Sequence, residues 1–312
     1  MKKILCIRNS KLGDYIIAIP VLKLIRKKNL NCKIYYLSSK NNFVKELPSK
    51  IENDKIVNNF IFYEHNLVGI IKLLYELRNF HFDKIYYLNE NSSFLRNIRN
   101  YFFYLLIKTK KRIGFFYKNK DYKKFNESKQ LIHRIDSKYN NLNLLNINKL
   151  NLSFSSPIIK KKYLTLSIGG FSQVKNWSLE NWSCLTDLLL ANSNLNIVIL
   201  GTNSDIISAK YLIKKNRNRI ISYCGKTNLV QLFNLIRYTK IHITNDNGSM
   251  HVASLYKKNI ICLFNNHDPL GKWFPSNKEA VIIRPNNGVD NISPYKVLKI
   301  LLKSLNLFSS SI

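Results

Sequence analysis

No two of the five cysteines (Cys6, Cys32, Cys184, Cys224, Cys262) stand in a C-x-x-C pair, and their number is odd. That excludes a disulfide framework and a zinc site of the usual spacing, and reads as thiols in a reducing compartment. No run approaches the ~18 apolar residues of a membrane span. The opening M-K-K-I-L-C-I-R is basic and then apolar, like a signal peptide, but Arg8 ends the apolar part too early for one. A cytoplasmic protein is expected. No G-x-G-x-x-G follows the first apolar run, so a dinucleotide fingerprint is absent. Gly225-Lys226-Thr227 lacks the first glycine of a P-loop, which removes a Walker motif. No D-x-D pair suited to a metal ion occurs.

Acidic side chains are also few. The 312 residues include 18 Asp and Glu against 50 Lys and Arg, a formal net charge of +32. Such an excess suits a polyanionic partner, either nucleic acid or an acidic lipid surface. It also suits a compositional bias toward Lys, Asn and Ile, the kind an AT-rich genome produces. The scatter of the lysines and runs such as Asn140-Asn141 and Asn286-Asn287 favour that third reading. No nucleic-acid-binding motif of the usual kinds appears, and a nucleic-acid partner is not expected.

What is present is a repeated strand-turn-helix rhythm. In Ile241 to Phe264 an apolar run ends in Asn245-Asp246-Asn247-Gly248, a helix follows, and a second apolar run begins at Ile260. This spells one βαβ unit. A helix starting at Asn247 or Gly248 aims its N–H groups out of the carboxyl edge of a parallel sheet, where ligands bind in open α/β folds. Such a terminus suits a phosphate, and Gly248 permits close approach. His251 lies near enough to share that ligand. The plain alternative is that Asp246 or Asn247 caps the helix and His251 is a surface histidine.

The same rhythm runs from the start. Residues 3–8 predict a buried strand, Gly13-Asp14 a turn, and Ile16 to about Lys28 a helix with Pro20 near its start. Asp14 then stands at the strand's carboxyl end, either as a helix cap or as a general base. Strands are expected at 33–37, 54–63 and 83–88, and helices at 67–79 and 94–107. The last is basic, aromatic and amphipathic, a pattern that fits anionic lipid or an ordinary packed helix. Residues 117–130 read as a loop, 131–150 as a helix and 151–162 as a linker. The second half restarts with a strand at 163–168 and Gly169-Gly170. Lys175 follows in a loop, then a helix 179–191 capped by Ser178. Strands at 196–200 and 219–223 and helices at 204–216, 228–237 and 294–307 complete it. The expected architecture is α/β, with an N-terminal Rossmann-like domain (1–155) and a C-terminal one (156–312) facing across a cleft.

Five stretches in this order resemble glycosyltransferase family 9, the lipopolysaccharide heptosyltransferases: I-R-N-S-K-L-G-D-Y-I-I-A-I-P (7–20), S-I-G-G-F-S-Q-V-K-N-W (167–177), V-I-L-G (198–201), G-K-T-N-L-V-Q-L (225–232) and T-N-D-N-G-S-M-H-V-A-S (244–254). The resemblance implies the GT-B fold and an inverting, metal-independent sugar transfer that needs no cofactor. Asp14 matches the catalytic base. Lys175 matches a lysine on the donor diphosphate, and Asp246, Gly248 and His251 match donor-site residues. Asn247 stands where the family has Ser or Thr, and Ser172 and Gln173 stand near its phosphate-contacting hydroxyls. Asp205 is the nearest acid to the nucleoside position. The implied partners are a nucleotide-sugar donor, ADP-heptose first among them, and an anionic lipid-linked saccharide acceptor met at the cytoplasmic face of the inner membrane. Two other readings remain: a non-catalytic polyanion binder, and a family member that holds a sugar nucleotide without transfer.

Overall fold

The computed structural model describes residues 1–40, 56–64, 66–90, 94–118, 120–121, 124–138, 156–170 and 172–305. The chain divides into two compact units, Met1–Leu152 and Ser153–Ile312.

The N-terminal unit runs β1 (Lys2–Ile7), α1 (Leu12–Lys28), β2 (Cys32–Ser39), β3 (Asn59–Tyr63), α2 (Leu67–Leu77), β4 (Phe82–Tyr87), α3 (Phe94–Leu105), β5 (Thr109–Ile113) and α4 (Glu127–Ile135). Its sheet has the order β3-β2-β1-β4-β5, and every pair is parallel. The central strands carry apolar runs, Ile4–Ile7 in β1, Ile34–Leu37 in β2 and Ile85–Tyr87 in β4, as a sheet covered on both faces demands. One face is filled by Leu5, Ile7, Leu37, Ile85 and Tyr87 against Leu73 and Leu77 of α2 and Tyr104 of α3. On the other, α1 packs against α4.

Several boundaries differ from the sequence expectation. Helix α1 starts at Leu12, because the Asp14 carboxylate accepts the Lys11 N–H at 3.2 Å and closes the first turn there. Gly13 and Asp14 are therefore helical, and Pro20 sits mid-helix rather than near the start. An interior proline costs about 3 kcal/mol. Burial of Ile16, Ile17, Ile19, Val21, Leu22, Leu24 and Ile25 outweighs it, at about 1.5–3 kcal/mol for each large side chain. Helix α4 starts at Glu127, inside the expected loop, because Asn126 caps it by accepting the Lys129 N–H at 3.1 Å. The remainder of the expected helix, from residue 139, and linker residues 151–155 lie outside the described residues. Strand β5, T-K-K-R-I, was not expected. It is an edge strand, and edge strands carry charge where central ones carry apolar residues.

The C-terminal unit runs β6 (Tyr163–Ser167), a 3-10 turn (Gln173–Lys175), α5 (Leu179–Asn192), β7 (Asn196–Leu200), a second 3-10 turn (Asn203–Asp205), α6 (Ile206–Ile213), β8 (Ile220–Ser222), α7 (Leu229–Tyr238), β9 (Ile241–Asn245), α8 (Gly248–Leu255), β10 (Asn259–Leu263), β11 (Val281–Ile283) and α9 (Pro294–Ser304). The sheet order is β11-β10-β9-β6-β7-β8, again parallel throughout. Trp177 and Trp182 anchor its core, their rings edge to face at 5.0 Å. Edge strand β11 was not expected, and the helix expected over 204–216 is the second 3-10 turn followed by α6.

In both units the first strand is central. The chain winds outward to one side, then returns and winds to the other. Both units are thus Rossmann-like, with a switch point between β1 and β4 in one and between β6 and β9 in the other. Ligands of open α/β sheets bind beyond the strand carboxyl ends at such points.

Candidate active site

At the β6/β9 switch point, short polar side chains tie the two strand exits together. Asn245, the last residue of β9, donates to the Ile168 carbonyl at 2.8 Å and accepts the Trp177 N–H at 3.2 Å. Trp177 is buried and donates its indole N–H to the Ile292 carbonyl. The loop that carries Lys175 is thereby fixed two residues away, at Trp177.

Asn247 caps α8 by accepting the Ser249 N–H at 3.0 Å. Its amide donates to the Gly169 carbonyl at 2.7 Å and to Ser167 Oγ at 3.1 Å, and its oxygen also accepts from Thr244 and Ser249 hydroxyls. Asparagine in place of Ser or Thr therefore locks the α8 turn to the exit of β6. Behind this cap stands His242, fully buried, with Nδ1 2.8 Å from Thr165 Oγ1 and Nε2 2.9 Å from Ser249 Oγ. Burial pushes its pKa down to about 3, so the ring is neutral.

Lys175 reaches the same turn. Its Nζ lies 2.7 Å from Asp246 Oδ2 and 2.5 Å from Asp268 Oδ2. Burial works against the charged lysine, and the two carboxylates outweigh it, so its pKa is raised. The two acids diverge. Burial raises Asp246 despite Lys175. Burial also opposes ionisation of Asp268, but Lys175 prevails there and the pKa is lowered.

Gly248 opens α8, with its N–H groups directed along the helix start. His251 is buried in α8, not at the surface. The Ser172 carbonyl accepts the Lys175 N–H at 3.0 Å, and Gln173 is exposed at the start of the 3-10 turn. The Asp205 carboxylate accepts from the Thr202 N–H at 2.6 Å and hydroxyl at 2.9 Å. A Cβ on Gly169 would lie 2.3 Å from that carboxylate, so glycine there admits it.

At the β1/β4 switch point of the N-terminal unit, Arg8 is buried. It donates to the Leu88 carbonyl at 2.5 Å and to Glu127 at 3.3 Å, and lies 3.5 Å from Asp14. Asp14, in the first turn of α1, is partly exposed and accepts the backbone N–H of the N-cap residue Lys11. The start of α1 lies at the carboxyl end of β1, the side of the sheet where open α/β folds bind ligands.

Sequence reasoning missed Asp268, Asn245, His242 and the Arg8–Glu127 pair. Asp268 had a signal, since N-N-H-D-P follows a strand at its carboxyl end. Asn245 lay within the motif read for its neighbours. Glu127 had none, because Arg8 is 119 positions away, and His242 had only Ser249 near it, its other partner Thr165 being 77 positions away.

The sequence profile of glycosyltransferase family 9 (heptosyltransferase) matches residues 110–292. The chain belongs to this family. It is 28% identical over 173 residues to lipooligosaccharide heptosyltransferase 2 of Campylobacter jejuni, covering 51% of this chain and 52% of that protein. Against the Haemophilus ducreyi protein of the same name it is 28% identical over 124 residues, 38% of this chain and 35% of that one. The match spans about half the length of the first of these relatives. Among solved structures, Escherichia coli ADP-heptose LPS heptosyltransferase II superposes with a TM-score of 0.73 at 19% identity, over 99% of this chain and 100% of that one. A family 9 glycosyltransferase of Veillonella parvula gives 0.72 at 18%, over 98% and 97%. The E. coli heptosyltransferase WaaC with ADP gives 0.73 at 15%, over 97% and 99%. The fold of this family 9 protein is accordingly GT-B.

Proposed function

We propose that the protein transfers a heptose or related sugar, with inversion and without a metal ion, from a nucleotide diphosphate donor to a lipopolysaccharide core or similar anionic glycolipid. The observation that carries this reading is the meeting of Lys175 with the first turn of α8 at a sheet switch point, in a chain of glycosyltransferase family 9. Named relatives are lipooligosaccharide heptosyltransferases, and WaaC has been solved with ADP and with ADP-2-deoxy-2-fluoro heptose. Both support ADP-heptose as donor.

In this reading the diphosphate lies against Lys175 and the α8 N-terminus, with Asp246, Asn247, Gly248 and His251 forming the turn and Ser172 and Gln173 beside it. As the sugar–oxygen bond breaks, negative charge grows on the leaving diphosphate. Fixed donors there stabilise the transition state more than the ground state. Asp14 takes the proton of the acceptor hydroxyl as that oxygen attacks the anomeric carbon. Positive charge comes from Lys175 and the helix, which supports chemistry without a metal. One structural neighbour, TibC, is described as iron-containing, so chelation belongs in the test. No helix among the described residues is long and apolar enough to cross a membrane. A cytoplasmic protein that visits the inner-membrane surface through its positive charge fits the acceptor.

Purified protein, ADP-heptose and an anionic lipid-linked saccharide are assayed for transfer, with EDTA and with Asp14→Ala. Transfer insensitive to EDTA is expected. The variant loses about 10²–10⁴-fold in rate while ADP binding persists. Donor binding without transfer by the wild type would instead mark a family member that holds the nucleotide without turnover. Absence of both would leave a polyanion binder, whose affinity falls steeply with salt.

A further inference from the structure

Lys175 is the proposed diphosphate contact, yet two carboxylates already occupy it, at 2.7 and 2.5 Å. One lysine and two acids sum to a negative charge, and a diphosphate is itself an anion. Binding therefore requires one carboxylate to give way. The structure distinguishes the two.

Asp246 is held in place. Its side chain is 9% exposed, in the turn between β9 and α8, and burial already disfavours its ionised form. Separation from Lys175 would leave a buried carboxylate without its cation, a state relieved only by uptake of a proton. Asp268 is different. Its side chain is 32% exposed. It accepts a hydrogen bond from the Trp273 side chain and feels the positive charge of Lys272. Trp273 and Lys272 lie beside it and can hold its charge when it releases Lys175.

The backbone around Asp268 is clamped. Arg284 donates to the carbonyls of Asn265 at 3.0 Å, Asn266 at 2.8 Å and Asp268 at 2.6 Å. The Asn265 side chain donates to the Val174 carbonyl, which ties this segment to the loop of Lys175. Motion is thus restricted to the Asp268 side chain, which needs only a rotamer change.

We infer that Asp268 is a placeholder anion: its carboxylate occupies Lys175 in the empty site, rotates away when a diphosphate arrives, and returns as the nucleotide leaves. Asp246 keeps Lys175 aimed throughout. This rests on the reading of Lys175 as a diphosphate contact. The assignment makes Asp268 a competitor of the ligand, so its removal strengthens binding. A residue that merely supports the site, or that grips the sugar, has no such effect on a nucleotide without sugar.

The test is calorimetric titration of ADP into the whole protein, as wild type, Asp268→Asn and Asp246→Asn. Asp268→Ala, which offers no amide, is measured beside them, with thermal melts to verify folding. Asp268→Asn and Asp268→Ala are expected to tighten ADP about fivefold, as removal of one repelling charge near a partly exposed site predicts. Asp246→Asn is expected to weaken it. ADP bound by the wild type with equal or lower affinity in both Asp268 variants overturns the inference and leaves the donor reading intact. No ADP binding by the wild type overturns the donor reading and the inference with it.

Discussion

Each Rossmann-like unit has one cation between two carboxylates at its switch point, and the two clusters are built in opposite ways. Arg8 is 2% exposed, its partner Glu127 is 1% exposed, and the contacts are long, at 3.3 and 3.5 Å. Lys175 is 25% exposed, and its contacts are 2.7 and 2.5 Å. Arg8 also spends a donor on the Leu88 carbonyl, which joins β1 to the exit of β4. It is a strut that has no free path to a ligand, and only Asp14 at its margin meets solvent. Lys175 is the reverse, a partly exposed cation whose partner Asp268 is itself 32% exposed. The rigid work done by Arg8 in one unit is done in the other by neutral groups, the chain Thr165–His242–Ser249–Asn247. Identical charge arithmetic thus stands in a closed setting in one unit and in an open one in the other, and burial makes the difference.

The comparison is broken most severely by Arg8→Met. Removal of the cation takes the Arg8 partner from Glu127, whose side chain is buried. Loss of one member of a buried pair costs about 3–5 kcal/mol. Urea unfolding of the variant is expected to lose stability in that range. A change under 1 kcal/mol would show that the buried pair does not carry the N-terminal unit.

The strands and helices that position these clusters were largely legible. Buried parallel strands such as N-I-V-I-L are continuous apolar runs, and Ser178 announced the start of α5 as a cap, accepting the Asn181 N–H. The polar edge strand β5 gave no such pattern, because an edge is selected for charge rather than for packing. Helix α1 was placed four residues late. Its first turn is closed by a bond from Asp14 back to Lys11, and a carboxylate's choice between cap and catalyst is not written in its own identity. For the site, residues within short motifs were found: Lys175 and Asp246 come together although 71 positions apart. His242 was passed over as one apolar-strand residue among others, since its partners Thr165 and Ser249 are joined to it only by the fold.

His242 offers the next test, and sharpens the contrast between ionic and neutral supports. Its pKa is about 3 in the folded protein and about 6.5 in an unfolded chain. Between those values the unfolded state takes up a proton that the folded state refuses. Its contribution is therefore complete above about pH 6.5 and is lost as pH falls, by about 1.4 kcal/mol per unit. Wild type is expected to lose about 2 kcal/mol more than His242→Gln between pH 6.5 and 5, read from urea midpoints. Parallel pH dependence in the two proteins would remove the neutral histidine from the support of α8.

Lys175→Met should have the smallest effect on stability and a clear one on ligands. The pair with the partly exposed Asp268 contributes about 0–1 kcal/mol. Asp246, already raised by burial, can accept a proton when its cation is gone, and Asp268 keeps Trp273 and Lys272. The melting temperature is therefore expected to move by only a few degrees at most. Donor kcat/KM is expected to fall about 10–100-fold, the value of a charge-assisted contact to phosphate. The pairing of the two readouts is what matters. Lys175 cannot be a second Arg8 if its loss leaves the fold standing and removes the donor, and a variant that unfolds would make the two clusters the same device after all.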